Sequence, residues 1–491
     1  MPRLIKFRRD RFCHPKQIRP VPIRGIAPFP GCMPAMVRIS GREENKPSDQ
    51  IAPMTDHRLM FPERQRLALL LCFHVITCCL SLVYAAHPQY AAVDPSTFHL
   101  FYDRVQLPGA LVTVAAFTLL GSVFAFGKFT FGYFAGFYLY TMLLGYLWLN
   151  FFTDLKYDHR LAGISAFASA IAFLLPAVLI SLPLHRLVVL SATAFDRLLS
   201  WILVFAAATI ALAAIYNFRL VAIENIYDFR DKLQSPAALN YLVGIVRGAL
   251  LPFAFAGFVM RKAWWRAGAV VLLLLLLYPV TLSKLALFAP LWLVGIAVLS
   301  KLFAARTVAI LSLLGPILLG LILLISFKGV SLAAATYFSV INIRILAVPS
   351  VAMDVYNDFF SRNELTYFCQ ISVLKQLMHC PYQDQLSIVM ARIYGLGNFN
   401  ASLFATEGIA SVGPWLAPLS ALLCGLVIAL GNRLSAGLPA RFVLISGAML
   451  PPILLDVPLS IGLVTHGMAI LFLLWYITPR PVFGPAAEGD N

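Results

Sequence analysis

The stretch RAGAVVLLLLLLYPVTLSKLALFAPLWLVGIAVLSK, Arg266 to Lys301, holds two apolar runs, 267–282 and 285–300, with Lys284 between them and no room for a loop. Each run is close to the ~20 residues a helix needs to cross a hydrocarbon core. The pair reads as two antiparallel membrane helices that turn at Lys284. Outward from this pair the signal recurs near 67–86, 107–126, 131–152, 162–182, 198–216, 239–259, 307–326, 413–430, 442–457 and 460–477, the last two divided at Asp456 and Pro458. Of 491 residues, 60% are hydrophobic and 12% charged, whereas about a quarter of residues are charged in soluble domains. The mean hydropathy is +0.82. The expectation is an all-α fold, a polytopic membrane helix bundle of about 11–12 transmembrane helices with a long extracytoplasmic loop containing interfacial helices.

The net charge of +16 is explained by position rather than by a nucleic-acid partner. With the N-terminus inside, the cytoplasmic side collects Arg58, Arg64, Arg66, Lys128, Arg186, Arg197, Arg261, Lys262, Arg266, Lys301, Arg306, Arg433, Arg441 and Arg480. Residues 1–60 are basic and proline-rich without an apolar signal-peptide core, and read as a disordered cytoplasmic tail. Binding of that tail to anionic lipid and a start codon assigned too early, with Met54 or Met60 as the true start, both fit. The remaining organisation is a bundle of nine helices over 61–326, a functional loop over 327–412, further membrane helices over 413–478 and a cytoplasmic tail over 479–491. Cys72, Cys78 and Cys79 read as packing residues of the first span. Cys369 and Cys380 share the long outer loop, where a disulfide is chemically permitted but not required.

Two connections are long, Asn217 to Ala238 and about Phe327 to Gly413, and both face the extracytoplasmic side. Loops of that length that are not disordered in composition tend to carry function. Residues 331–360, SLAAATYFSVINIRILAVPSVAMDVYNDFF, have helical apolar spacing and predict one or two interfacial or re-entrant helices broken at Pro349. Asp354 and Asp358 share a face there, and Arg344 lies across the expected break. No internal repeat and no matching pair of broken helices is visible, which weighs against a transporter.

The sequence has no P-loop, no zinc-ligand spacing, no HExxH, no GxSxG and no dinucleotide fingerprint, so no cofactor or metal is expected. What remains is outward-facing cations: Arg219, Arg230, Lys284 and Arg344. Around Arg219 and Arg230, Glu224, Asp228 and Asp231 supply ordinary ion-pair partners. Lys284 has only snorkelling or function to explain it. A cationic cluster on the side that the positive-inside rule depletes suits an anionic ligand such as a diphosphate. In YGLGNFNASLFATEGIASVGPW, Tyr394 to Trp415, Asn398, Asn400, Ser402, Thr406 and Glu407 stand among aromatic residues, a composition that fits a carbohydrate acceptor.

IYDFR (226–230), TLSKLAL (281–287), RILAVPSVAMDVYNDFF (344–360) and GNFNASLFATEGIASVGPW (397–415), in that order and topology, resemble the Wzy-type oligosaccharide repeat unit polymerases, the O-antigen polymerase family related in fold to GT-C glycosyltransferases. The resemblance implies an inverting, metal-independent glycosyltransferase of the bacterial inner membrane, with both termini cytoplasmic and the active site extracytoplasmic. It would extend undecaprenyl-diphosphate-linked oligosaccharides into O-antigen or exopolysaccharide, in contact with membrane lipids and beside a chain-length regulator and a flippase. By the resemblance Arg230, Lys284 and Arg344 contact the diphosphate, and Asn398 and Asn400 line the sugar site. Arg219, Asp354 and Tyr356 complete the candidate binding set, and Glu407, Asp358 and Asp354 compete as general base. A lipid-linked oligosaccharide flippase, an O-antigen ligase and a GT-C transferase using monophosphate donors are the alternatives. Asp94 and Asp103 lie too far apart for the acidic pair common in the last of these.

Overall fold

The computed structural model describes residues 62–86, 98–221, 229, 235–327, 331–371, 374–396 and 400–483. Among them ten helices are long and apolar enough to cross a membrane: α1 (Glu63–Ala86), α2 (Leu107–Phe126), α4 (His159–Leu179), α5 (Ala192–Tyr216), α6 (Ala237–Met260), α7 (Trp264–Thr281), α8 (Lys284–Leu302), α9 (Ala305–Ser326), α10 (Leu332–Phe360) and α12 (Phe404–Ser435). Between α2 and α4 runs α3 (Phe131–Leu149), and α11 (Leu386–Tyr394) lies in the long loop. The chain ends in the short helices α13 (Ala440–Ser446), α14 (Leu450–Leu454), α15 (Leu459–Val464) and α16 (Met468–Ile477). The all-α polytopic bundle expected from the apolar runs is the fold, because in a bilayer only the helix satisfies every backbone group within its own segment. The basic segment 1–60 lies outside the described residues.

The contacts of a few side chains fix which helix ends lie together. Arg306, at the start of α9, pairs with Glu63 at the start of α1 (2.5 Å) and donates to the carbonyl of Gly127 just before α3 (3.3 Å). These three helices therefore start at one end and run parallel. Asn432 near the end of α12 accepts the Gly132 N–H and donates to the Ala177 carbonyl of α4, both at 2.7 Å, so α4 and α12 finish there. Arg186 donates to the Thr478 carbonyl (2.8 Å), Arg261 pairs with Asp196, and Lys301 lies 4.5 Å from the Trp264 ring centre. The described basic residues among those grouped on one side by the sequence gather at this basic end; Arg58 lies outside the described residues. The long connections lie at the other, which we call the loop end.

α3 is the axle, with every residue buried. His74 of α1 meets Thr141 (2.9 Å), Tyr138 meets Ser312 of α9 (2.9 Å), and Ser350 of α10 donates to the Met142 carbonyl (3.1 Å). Its glycines permit close approach: a Cβ on Gly132 would stand 1.9 Å from the Ala177 carbonyl oxygen, and one on Gly145 would stand 2.6 Å from Ser350 Oγ.

α10 corrects the expectation of a break at Pro349. It is one continuous helix of 29 residues. It starts five residues after the loop end of α9, and at its far end Asp358 accepts the Lys156 N–H (3.0 Å) from the connection that follows α3. Both ends of α10 thus lie at the loop end. Its middle, at Ser350 on Met142, sits about 10 Å below the end of α3 at 1.5 Å per residue. α10 dips into the bundle from the loop end, with Asn342 donating to the Ile317 carbonyl of α9 (2.8 Å), rather than spanning it.

The proline is tolerated because it follows a π-helical turn, Ser339–Ala347. In an α-helix the proline ring crowds the carbonyl four residues back, and the wider i→i+5 turn relieves that contact. The same device occurs twice more among the described residues. The π turn Val246–Leu250 of α6 precedes Pro252, and the π turn Phe404–Ala410 of α12 precedes Pro414. In α12 the kink is completed by Gly413, whose φ of 75° favours a residue without Cβ.

Residues 404–412, expected as a loop, are instead a buried half-helix. Phe404 packs edge-on to Phe173 well inside α4 (5.6 Å between centroids), while Ser165, near the loop end of α4, donates to the Pro414 carbonyl (2.5 Å). The half-helix thus climbs from inside the bundle to the loop end, turns at Gly413 and descends as the rest of α12.

Candidate functional site

Each of the three π turns carries one charged side chain: Arg247 in α6, Arg344 in α10 and Glu407 in α12. Ionisable groups inside a membrane bundle are costly, and π turns recur where function requires a distorted helix. Two of them, Arg344 and Glu407, bond to one short piece of chain, the broken segment from Asp456 to His466, and the turn that carries Arg247 packs against the same segment.

Arg344 Nη2 donates to Asp456 Oδ2 (3.0 Å), with side chains 55% and 27% exposed, so this pair lies where a ligand can reach it. Glu407 is buried. Its Oε1 accepts the Ser460 N–H (2.9 Å) and the Ser460 hydroxyl (3.0 Å), while Oε2 is buried without a partner among the described residues. Arg247 Nη1 reaches Ser283 Oγ (3.4 Å) at the α7–α8 break beside Lys284, and its Nε has no partner among the described residues. The turn at His466 seats against α6, since a Cβ on Gly248 would meet the His466 carbonyl oxygen at 2.4 Å. His466 Nδ1 and Asp456 Oδ1 are likewise buried and unpartnered among the described residues. Four buried polar atoms on one segment and its facing turns thus lack a protein partner among the described residues, which makes this the candidate site for a polar ligand.

A second network occupies another face of α10. Tyr157 donates to Asp354 Oδ1 (2.5 Å), and Asn357 Nδ2 donates to the Tyr146 hydroxyl (3.0 Å). Asp358 accepts from the Lys156 N–H and from the Tyr394 hydroxyl (2.6 Å), and also pairs with Arg362. Burial, followed by the charge of Asp354, holds the Tyr157 hydroxyl well above the ordinary tyrosine range. Tyr394 is raised by burial and then by its bond to the Asp358 carboxylate. With three donors on Asp358, this network holds α10 to the connection after α3.

The expected constellation is therefore divided. Asp354 and Asp358 share a face, as their spacing predicts, but 14 residues, about 21 Å of helix, separate Asp358 from Arg344, so the two do not share one small ligand. Arg344 and Glu407 are brought together, through partners four residues apart in sequence. Tyr356 is buried, with its ring 5.9 Å from that of Phe360. Lys284 opens α8 next to Ser283. Arg219 donates its N–H to the Pro279 carbonyl (2.9 Å), and its guanidinium stands 6.0 Å from the Phe229 ring centre, close in chain to the same break. Asn400 is exposed at the foot of the half-helix. Arg230 and Asn398 lie outside the described residues.

Arg247, Asp456, Ser460 and His466 are the residues that sequence reasoning passed over. For Arg247 a signal existed: RGALLP (247–252) repeats the arginine-to-proline spacing of RILAVP (344–349) inside an apolar run. The loop after α10 is tied down by a Cys369–Cys380 disulfide. It also clamps the half-helix of Glu407, since Thr366 and Tyr367 donate their N–H groups to the Ala410 and Ser411 carbonyls (2.8 and 3.1 Å).

No family model matches the sequence, and neither a curated protein nor a solved structure is detectably similar to it.

Proposed function

We propose that this chain is a membrane glycosyltransferase that polymerises undecaprenyl-diphosphate-linked oligosaccharide repeat units into O-antigen or exopolysaccharide. The observation that carries the proposal is that Arg344 and Glu407 bond to one broken segment, with the π turn of Arg247 packed against it and α10 dipping into the bundle from the loop end. A lipid-linked substrate presents its diphosphate at the membrane surface, and guanidinium and ammonium groups at that depth suit it. The disulfide supports placing the loop end outside the cytoplasm, and the gathered lysines and arginines support placing the opposite end inside.

In this reading Arg344, Lys284 and Arg247 hold the donor diphosphate. Glu407 takes the proton from the acceptor sugar hydroxyl as that oxygen attacks the anomeric carbon. The bond between that carbon and the diphosphate oxygen breaks, a glycosidic bond forms with inversion, and undecaprenyl diphosphate leaves with its charge met by the cations. Asp354 and Asp358 hold α10 in place instead of acting on substrate.

One observation favours a second reading. Two discontinuous elements, the half-helix before Gly413 and the broken segment 455–467, meet at buried charges, which is how many transporters build their sites. Deletion of the gene, read by the size ladder of surface polysaccharide, separates the two when combined with purified protein in vesicles holding lipid-linked repeat units on both leaflets. A polymerase gives glycans longer than one unit; a flippase moves single units between leaflets and lengthens none. Well-expressed Arg344→Ala and Lys284→Ala variants should fail to restore the ladder, and full rescue by both would remove the proposed diphosphate site.

A further inference from the structure

At the basic end a cleft of ≈ 430 Å³ opens between α5 and the start of α7, lined by Thr193, Asp196, Arg197, Ser200, Trp201, Val204 and Arg266. Its α5 residues recur at three- and four-residue steps, so they form one stripe of that helix. From Thr193 to Val204 the stripe covers about 16 Å of depth at 1.5 Å per residue. Its chemistry is graded along that depth, with the Thr193 hydroxyl and the guanidinium groups at the mouth, Ser200, which donates to the Asp196 carbonyl (3.0 Å), and the indole below them, and an aliphatic side chain at the inner end. Trp201 is 66% exposed and Val204 58% exposed, so the inner part faces outward, where the acyl chains of a bilayer lie.

The charges in the cleft are unbalanced. The Asp196 carboxylate is taken by Arg261, outside the cleft. Arg197 and Arg266 have no carboxylate partner among the described residues, and Arg266 lies 5.9 Å from the Phe258 ring centre. Two uncompensated guanidiniums at the mouth select a phosphate with net negative charge and disfavour a headgroup that also carries an ammonium.

We propose that this cleft is a binding site for one anionic diacyl phospholipid of the leaflet at the basic end. Its phosphate lies between Arg197 and Arg266, its headgroup hydroxyls reach Thr193, and one acyl chain runs along Trp201 and Val204. The proposal is independent of the glycosyltransferase reading, because it concerns the opposite end of the bundle.

The test uses the full chain in phosphatidylcholine vesicles, into which dibrominated phosphatidylglycerol or dibrominated phosphatidylcholine is titrated. The Trp201 signal is the quenching lost in Trp201→Phe. Phosphatidylglycerol should quench it at a roughly tenfold lower mole fraction than phosphatidylcholine. The Arg197→Gln/Arg266→Gln double variant should remove that preference, while Lys128→Gln, a basic-end change outside the cleft, should leave it intact. Equal quenching by the two lipids would overturn the proposal. Equal loss in Lys128→Gln would do so too, by assigning the preference to general surface charge. Release of the lipid by millimolar inorganic phosphate would show a site for a free phosphoanion and would also end the lipid assignment.

Discussion

Ser460 gives Glu407 both of the hydrogen bonds it can donate, from its N–H and from its hydroxyl, and both go to the same carboxylate oxygen. The other oxygen is buried without a partner among the described residues, so the side chain is held through one oxygen only. Glu407→Gln preserves the accepting oxygen and should fold normally while the rate of glycan transfer falls by roughly 10²–10⁴. A variant that keeps its rate would remove Glu407 from the chemistry. Ser460→Ala should cost about 1 kcal/mol of stability and a smaller part of the rate.

Arg247 separates function from stability. An apolar replacement of similar length relieves the burial of a charge, so Arg247→Met should match or exceed the parent's thermal midpoint in detergent yet fail to restore the polysaccharide ladder. Retained activity would reduce Arg247 to a packing residue of the π turn.

The raised tyrosines give the alkaline response a sign. Tyr394 titrates above its ordinary range in the fold, so its contribution is complete below about pH 10 and is lost as pH rises through the folded value. The thermal midpoint should stay level from neutral pH to about 9 and fall above about 10. Tyr394→Phe should flatten that alkaline fall. An equally steep fall in the variant would place its origin elsewhere.

Gly132 and Gly145 test the packing of α3. Gly132→Ala drives a methyl group into the fixed Ala177 carbonyl, whereas the Ser350 hydroxyl facing Gly145 can rotate away. Expression and thermal midpoint should fall sharply for the first, by more than about 3 kcal/mol, and mildly for the second. The reverse order would contradict the backbone contact.

The apolar runs made the bundle legible because the bilayer leaves the backbone few choices, and Lys284 marked the turn between α7 and α8. Pro349 misled, because the π turn that accommodates it leaves no trace in hydrophobic periodicity. Glu407 stood out among small residues, but its partner Ser460 is 53 positions away, and nothing local to either connects them. Arg247 was hidden in a run apolar enough to absorb one charge; only its spacing to Pro252, shared with Arg344 and Pro349, set it apart.

The complete enclosure of α3 bears on how the protein is made. Its tyrosines at 133, 138, 140 and 146 and its glycines at 132, 136 and 145 leave it a poor candidate for release into lipid by itself. Yet the contacts that cover it come from His74 through Ser312 and Ser350 to Asn432, and from Trp475, whose ring meets Phe131 at 5.2 Å. During translation this helix must wait, held by the insertion machinery or by its two nearest neighbours in sequence, until the last third of the chain has emerged to enclose it.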